Sequence, residues 1–208
     1  MIEPPSPSIE SLRKHARILV IDDFAFPAQG SFRRDGYHFE RWSAIKNLSQ
    51  LTDGHYDVIL LDIQGVGLKE SPELQGLGIL GHIKKLNPAQ PVILYSSAPQ
   101  KISSREHLVL ADAVLDKSAS YIEYKNEVDS LLLRKARPGY FISAMNRELG
   151  DQAILTPRAV KLASRAISGG NPQKLERYLK NKLPDVEQVD RILSIVSIGA
   201  SAVGMFTL

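Results

Sequence analysis

Cysteine does not occur among the 208 residues. That excludes disulfides, zinc–thiolate sites and a cysteine nucleophile, and it fits a reducing compartment, so a cytoplasmic location is expected. Histidine occurs five times, at 15, 38, 55, 82 and 107, with no spacing that would place two imidazoles on one metal. There is no Walker loop and no Gly-x-Ser-x-Gly elbow, so no conventional enzyme is expected. The opening residues Met1-Ile2-Glu3-Pro4-Pro5-Ser6-Pro7 lack the basic and apolar regions of a signal peptide. Residues 1–16 read instead as a flexible, proline-stiffened tail. A dense basic run is also missing. Residues 1–133 carry 14 Lys+Arg against 17 Asp+Glu, whereas residues 134–208 carry 12 against 6. That asymmetry hints at two functional units. The positive excess is too dilute for a nucleic-acid patch and reads as a solvated helical surface.

Short apolar runs dominate what is present. Val58-Ile59-Leu60-Leu61-Asp62 has no alternation, the pattern of a strand buried on both faces of a parallel sheet. Arg17-Ile18-Leu19-Val20-Ile21, Pro91-Val92-Ile93-Leu94-Tyr95 and Ala113-Val114-Leu115 are of the same kind, and Tyr37–Trp42 alternates well enough for another strand. Between them lie helical patterns: a short, late one after Asp23, a modest one over 43–51, one with Leu77, Leu80, Ile83 and Leu86 at three-residue steps, a weaker one over 104–111, and one opened by the capping-box spacing Ser120…Glu123. The stretch Gln64–Pro72 is longer than a packed βα connection needs. Strand and helix alternate five times, which predicts an α/β fold, a five-stranded doubly wound parallel sheet over residues 17–136. A small all-α region over 137–208 follows.

Polar residues stand at the ends of these strands: Asp22 and Asp23, Asp62, Ser96 with Ser97, and Lys117. In a parallel sheet these ends share one edge, where open α/β sheets bind ligands. Three crowded carboxylates repel unless a cation joins them, and Mg²⁺ is a hard ion that suits oxygen donors and phosphate. With a lysine and a hydroxyl nearby, the set suits a phosphoryl group carried on a carboxylate.

In this order and at these separations, Ile18–Asp23, Val58–Asp62, Pro91–Ser96 and Val114–Lys117 make the chain from about Arg17 to Arg134 resemble the receiver domain of two-component response regulators, the CheY-like family. The resemblance implies that Asp62 is the phosphoacceptor and that Asp22, Asp23 and Asp62 hold Mg²⁺ together with the backbone carbonyl of Gln64. It also implies that Ser96 is the hydroxyl reporting phosphorylation, that Lys117 bonds the phosphoryl group, and that a histidine kinase or phosphotransfer protein is the donor. Ser118 stands where receivers usually have proline, and Val114 where they have the aromatic that moves with the hydroxyl. The first helix is abbreviated, and the loop after Asp62 lacks the usual Pro-x-Met-Asp-Gly run.

In the last region, Thr156-Pro157 opens a helix that Gly169-Gly170 ends, Asn171-Pro172 opens another, and a last helix runs from Asp185 to the terminus. On that helix Val186, Val189, Leu193, Val196, Ala200 and Val203 keep a seven-residue repeat, and Ile192, Ile195 and Phe206 add a second apolar side. A short bundle is expected to bury one side more readily than two, so 185–208 is expected to pack within the chain, to form a homodimer or to meet a protein partner. A membrane span is not expected, because the uncharged stretch Ile192–Leu208 is at the lower limit and contains four Ser or Thr. Leu155-Thr156-Pro157-Arg158 echoes LuxR-type DNA-binding domains, but the break at 169–172 leaves little room for a basic recognition helix. DNA binding is therefore not expected. The alternatives are a transcriptional regulator that reads DNA with these helices and an unphosphorylated scaffold.

Overall fold

The computed structural model describes residues 7–97, 105–150 and 156–205. The chain divides into two compact units, Ser8–Leu86 with Gln90–Leu132, and Leu133–Leu208 with Asn87–Ala89.

The first unit contains β1 (Arg17–Ile21), β2 (His38–Trp42), β3 (Val58–Asp62), β4 (Val92–Ser96) and β5 (Ala113–Asp116). They form one five-stranded sheet in the order β2-β1-β3-β4-β5, with every neighbouring pair parallel. This is the flavodoxin-like doubly wound order. Burial follows position in the sheet. Every residue of β3 and β4 is buried, as the unalternated runs require, whereas β5 at the edge is only partly covered.

The helices of this unit are α1 (Ile9–His15), α2 (Gln29–Arg34), α3 (Gly76–Leu86), α4 (Arg105–Leu108) and α5 (Tyr121–Lys135). On one face of the sheet Leu19, Ile21, Ile59, Leu61 and Leu94 pack with Leu77, Leu80 and Ile83 of α3. The strand residues between these point to the opposite face, where aromatic rings gather. Phe26 stacks on Phe39 at 5.7 Å and meets Tyr124 of α5 edge-on at 5.2 Å. The capping box at the start of α5 is formed: Ser120 N–H donates to Glu123 Oε2 at 2.7 Å and Glu123 N–H donates to Ser120 Oγ at 3.3 Å.

Three local expectations are corrected. The tail expected over 1–16 contains α1: Ser8 Oγ accepts the Ser11 N–H at 3.2 Å, and Leu12 is wholly buried. Arg13 reaches Asp129 of α5 and donates to the Tyr37 hydroxyl at 2.9 Å. The cap and the Ile9/Leu12 spacing outweigh the prolines before them, and residues 1–6 lie outside the described residues. The helix expected over 43–51 is only a 3-10 turn, Ser49–Leu51. Asn47 Oδ1 accepts the Ser49 N–H at 2.9 Å, a local bond that competes with helix. The helix expected over 104–111 is reduced to α4, with Ser104 outside the described residues.

The second unit contains α6 (Pro138–Leu149), α7 (Thr156–Ile167), α8 (Gln173–Lys180) and α9 (Val186–Met205). Pro138 occupies the first turn of α6, and the turn that follows α7 contains Gly169, whose φ of 87° favours glycine. Both apolar sides of α9 are used within this unit. Val189, Ile192, Ile195, Val196 and Val203 are buried in one cluster with Phe141, Met145 and Leu149 of α6 and with Leu175 and Leu179 of α8. Val186, expected at the head of the seam, is 67% exposed. The expectation that one side would stay uncovered is corrected by α6, which had no helix of its own in the sequence reading. Leu155 and Phe206 lie outside the described residues. Among the described residues no helix is long and apolar enough to cross a membrane.

Candidate functional site

Because the strands are parallel, their carboxyl ends converge on one edge, and the polar residues follow. Asp22 comes directly after β1, where its N–H donates to the Trp42 carbonyl at 3.0 Å. Asp62 closes β3 beside Tyr95 of β4. Lys117 follows β5, with its N–H on the Ser96 carbonyl at 2.9 Å. One carboxylate oxygen from each of Asp22, Asp23 and Asp62 lies within 4.8 Å of the others. Asp22 is 3% and Asp62 2% exposed, whereas Asp23 is open to solvent.

Lys117 joins the two buried acids. Its Nζ donates to Asp62 Oδ2 at 2.6 Å and lies 3.5 Å from Asp22 Oδ2. Asp62 Oδ1 accepts the Gln64 N–H at 3.3 Å, and Asp22 Oδ1 accepts the Phe24 N–H at 2.8 Å. These groups open into a cavity of about 460 Å³ lined by the three acids, Gln64, Lys117 and Ser97. Phe24, Phe26, Tyr95 and Tyr124 form its apolar wall. The turn after Asp62 is built for close approach. A Cβ at Gly65, whose φ is 83°, would stand 2.6 Å from Asp23 Oδ2.

The electrostatics are unbalanced. Burial pushes the Asp62 carboxyl above its usual range; the hydrogen bond from Lys117 opposes this, and the charge of Asp22 adds to it. Burial also disfavours charge on Lys117, but its hydrogen bond to Asp62 and the charges of Asp62 and Asp22 hold the ammonium above the ordinary lysine value. Among the described residues one ammonium faces three carboxylates. The donors are all oxygen and two of them are buried, a set that fits a hard divalent cation such as Mg²⁺.

Asp22, Asp23, Asp62, Gln64 and Lys117 therefore meet in one place. Ser96 is 5% exposed and is not among the residues lining the cavity, whereas its neighbour Ser97 is. Two participants escaped the sequence reading. Tyr95 donates its hydroxyl to Asp22 Oδ2 at 2.8 Å, and Arg41 of β2 donates through Nη1 to the carbonyls of Asp22 at 2.9 Å and Phe24 at 2.7 Å. The signal for Tyr95 was a hydroxyl inside an otherwise aliphatic run. Arg41 left none, since backbone carbonyls as targets are invisible in sequence.

No family profile and no curated protein matches the chain. The structural neighbours are CheY-like response-regulator receiver domains, matched over about 56% of the chain. One is a receiver domain protein from Methanospirillum hungatei, 22% identical, covering 56% of this chain and 93% of that one at a TM-score of 0.43. Another is the response regulator TrrA from Thermotoga maritima in complex with Mg²⁺–BeF, 26% identical, covering 56% and 98% at a TM-score of 0.44. A third is TrrA with the histidine kinase ThkA, 28% identical over the same shares at a TM-score of 0.44.

Proposed function

We propose that the first unit is a receiver for a phosphoryl group, with Asp62 as acceptor. The observation that carries this reading is the buried Asp62 carboxylate bonded to Lys117 at 2.6 Å, with Asp22 and Asp23 within 4.8 Å of it. In the transfer an Asp62 oxygen forms the new P–O bond as the donor's P–N or P–O bond breaks, and the leaving group takes up the electron pair. Lys117 then offers its ammonium to the phosphoryl oxygens. Asp22, Asp23, Asp62 and the Gln64 carbonyl would hold Mg²⁺, which supplies charge neutralisation to the same oxygens. Arg41 keeps the loop after β1 in place through two carbonyls.

The donor is a histidine kinase or phosphotransfer protein in the cytoplasm, and the chain acts as a signalling switch rather than a turnover enzyme. Ser96 is the reporter hydroxyl on sequence grounds; the cavity lining favours Ser97. The second unit serves as the output, through self-association or a protein partner on a surface other than the apolar sides of α9, which are covered within the unit. Wild-type protein should take label from a small phosphodonor such as acetyl phosphate only with Mg²⁺, and Asp62→Ala should take none. Label retained by Asp62→Ala would overturn the assignment.

A further inference from the structure

With Val114 at the edge strand 38% exposed, β5 offers no aromatic to carry a change away from the acids. Tyr95 does. It lies one strand inward on β4, between Asp62 of β3 and Leu115 of β5 in the register, and is 1% exposed. Its hydroxyl sits on Asp22 Oδ2 at 2.8 Å, the oxygen that also faces Lys117 Nζ at 3.5 Å. Lys117 Nζ is in addition 5.5 Å from the Tyr95 ring centroid. Resting on the phosphoacceptor reading, we propose that Tyr95 is a positioning residue that holds Asp22 and passes the state of the site to α5 through Tyr124.

The physical basis is a shared atom followed by packed rings. Lys117 divides its charge between Asp62 and Asp22. A phosphoryl group or cation at Asp62 alters that division, so the load on Asp22 Oδ2 changes. The Tyr95 hydroxyl is bonded to that oxygen, and a hydrogen bond to a charged group is among the stronger ones in a protein. The ring cannot adjust alone. It meets Phe26 edge-on at 5.8 Å and Tyr124 at 6.1 Å, and close-packed interiors transmit strain. Tyr124 is tied in turn to the end of β5, donating its hydroxyl to the Asp116 carbonyl at 3.1 Å. The route thus leads from Asp22 to the first turn of α5 across the aromatic face of the sheet, away from the exposed edge at Val114.

Tyr95→Phe keeps ring, volume and burial and deletes only the hydroxyl. The test is amide hydrogen exchange over α5 in the full chain, with and without Mg²⁺ plus beryllofluoride, beside Mg²⁺-dependent labelling by acetyl phosphate. In wild type the additives should change exchange around Tyr124 at least about fivefold, the lower end of ordinary coupling between sites. In Tyr95→Phe that change should vanish even in protein that has taken the label, and Mg²⁺-dependent labelling should be slower, because Asp22 loses the donor that holds it. An equal response of α5 in both proteins would overturn the role of Tyr95 and leave the phosphoacceptor reading intact. A wild-type chain that takes no label would sink both. Loss of the folded state in Tyr95→Phe, seen by circular dichroism, would make the hydroxyl a purely structural group and also overturn the inference.

Discussion

Among the described residues Lys117 is the one ammonium facing the acids in the cavity, which makes it the most informative residue to remove. In Lys117→Met the Asp62 carboxylate, 2% exposed, loses its partner while Asp22 stays nearby. Breaking a buried pair costs several kcal/mol and an exposed one almost nothing. With the Lys117 side chain 27% exposed, a loss of about 2 kcal/mol is expected. Urea unfolding measures it, and Mg²⁺ should narrow the deficit by supplying the missing charge.

Glu40 offers a test by pH. Its carboxylate accepts from the Trp42 indole at 2.6 Å and from the Tyr56 hydroxyl at 2.7 Å. Burial works against its charge, yet these two bonds hold its pKa below the ordinary value for a glutamate. A lowered folded pKa means a contribution present above that value and lost as pH falls through the folded one. Stability followed through Trp42, the one tryptophan, should therefore fall less on acidification in Glu40→Gln than in wild type below pH 4.5.

Among the elements, the start of α3 leaves no space for a side chain at Gly76. A Cβ at Gly76 would stand 2.0 Å from the Asp62 carbonyl oxygen, a backbone atom, whereas one at Gly65 meets the Asp23 side chain, which can swing into solvent. Gly76→Ala should therefore cost more stability than Gly65→Ala, with roughly 1–3 kcal/mol for the first. Gly65→Ala should instead weaken Mg²⁺ binding by displacing Asp23, as read by calorimetric titration. The same scale separates what sequence patterns reveal from what they miss. The runs ending at Ile21, Asp62 and Ser96 are strands because short, β-branched, unbroken aliphatic runs suit a sheet position covered on both faces. The stretch 43–51 carried helical periodicity, but the Asn47 side chain took the backbone donors that a helix would have used.

For the whole molecule, separate cores in the two units predict separable unfolding. Calorimetry should show two transitions. Ile192→Ala, with a residue wholly buried on α9, should lower the one belonging to the second unit, at a cost of about 3 kcal/mol. Mg²⁺ at one hundred times its dissociation constant should raise only the other, by about 2.7 kcal/mol. Two transitions that shift together would refute this independence.

Composition and patterning alone determined that the chain alternates strand and helix, that the strands are parallel, and that acids, hydroxyls and a lysine stand at their ends. Those properties are local or follow from chain direction, so one sequence suffices to read them. Tertiary structure decided the rest. Whether Ser96 or Ser97 meets the cavity depends on how β4 ends, and the partner of the Tyr95 hydroxyl lies 73 residues away. The second apolar side of α9 was covered by α6, a helix that sequence periodicity did not announce. Contacts between distant segments depend on how each element is rotated and seated, and local sequence carries no direct record of either.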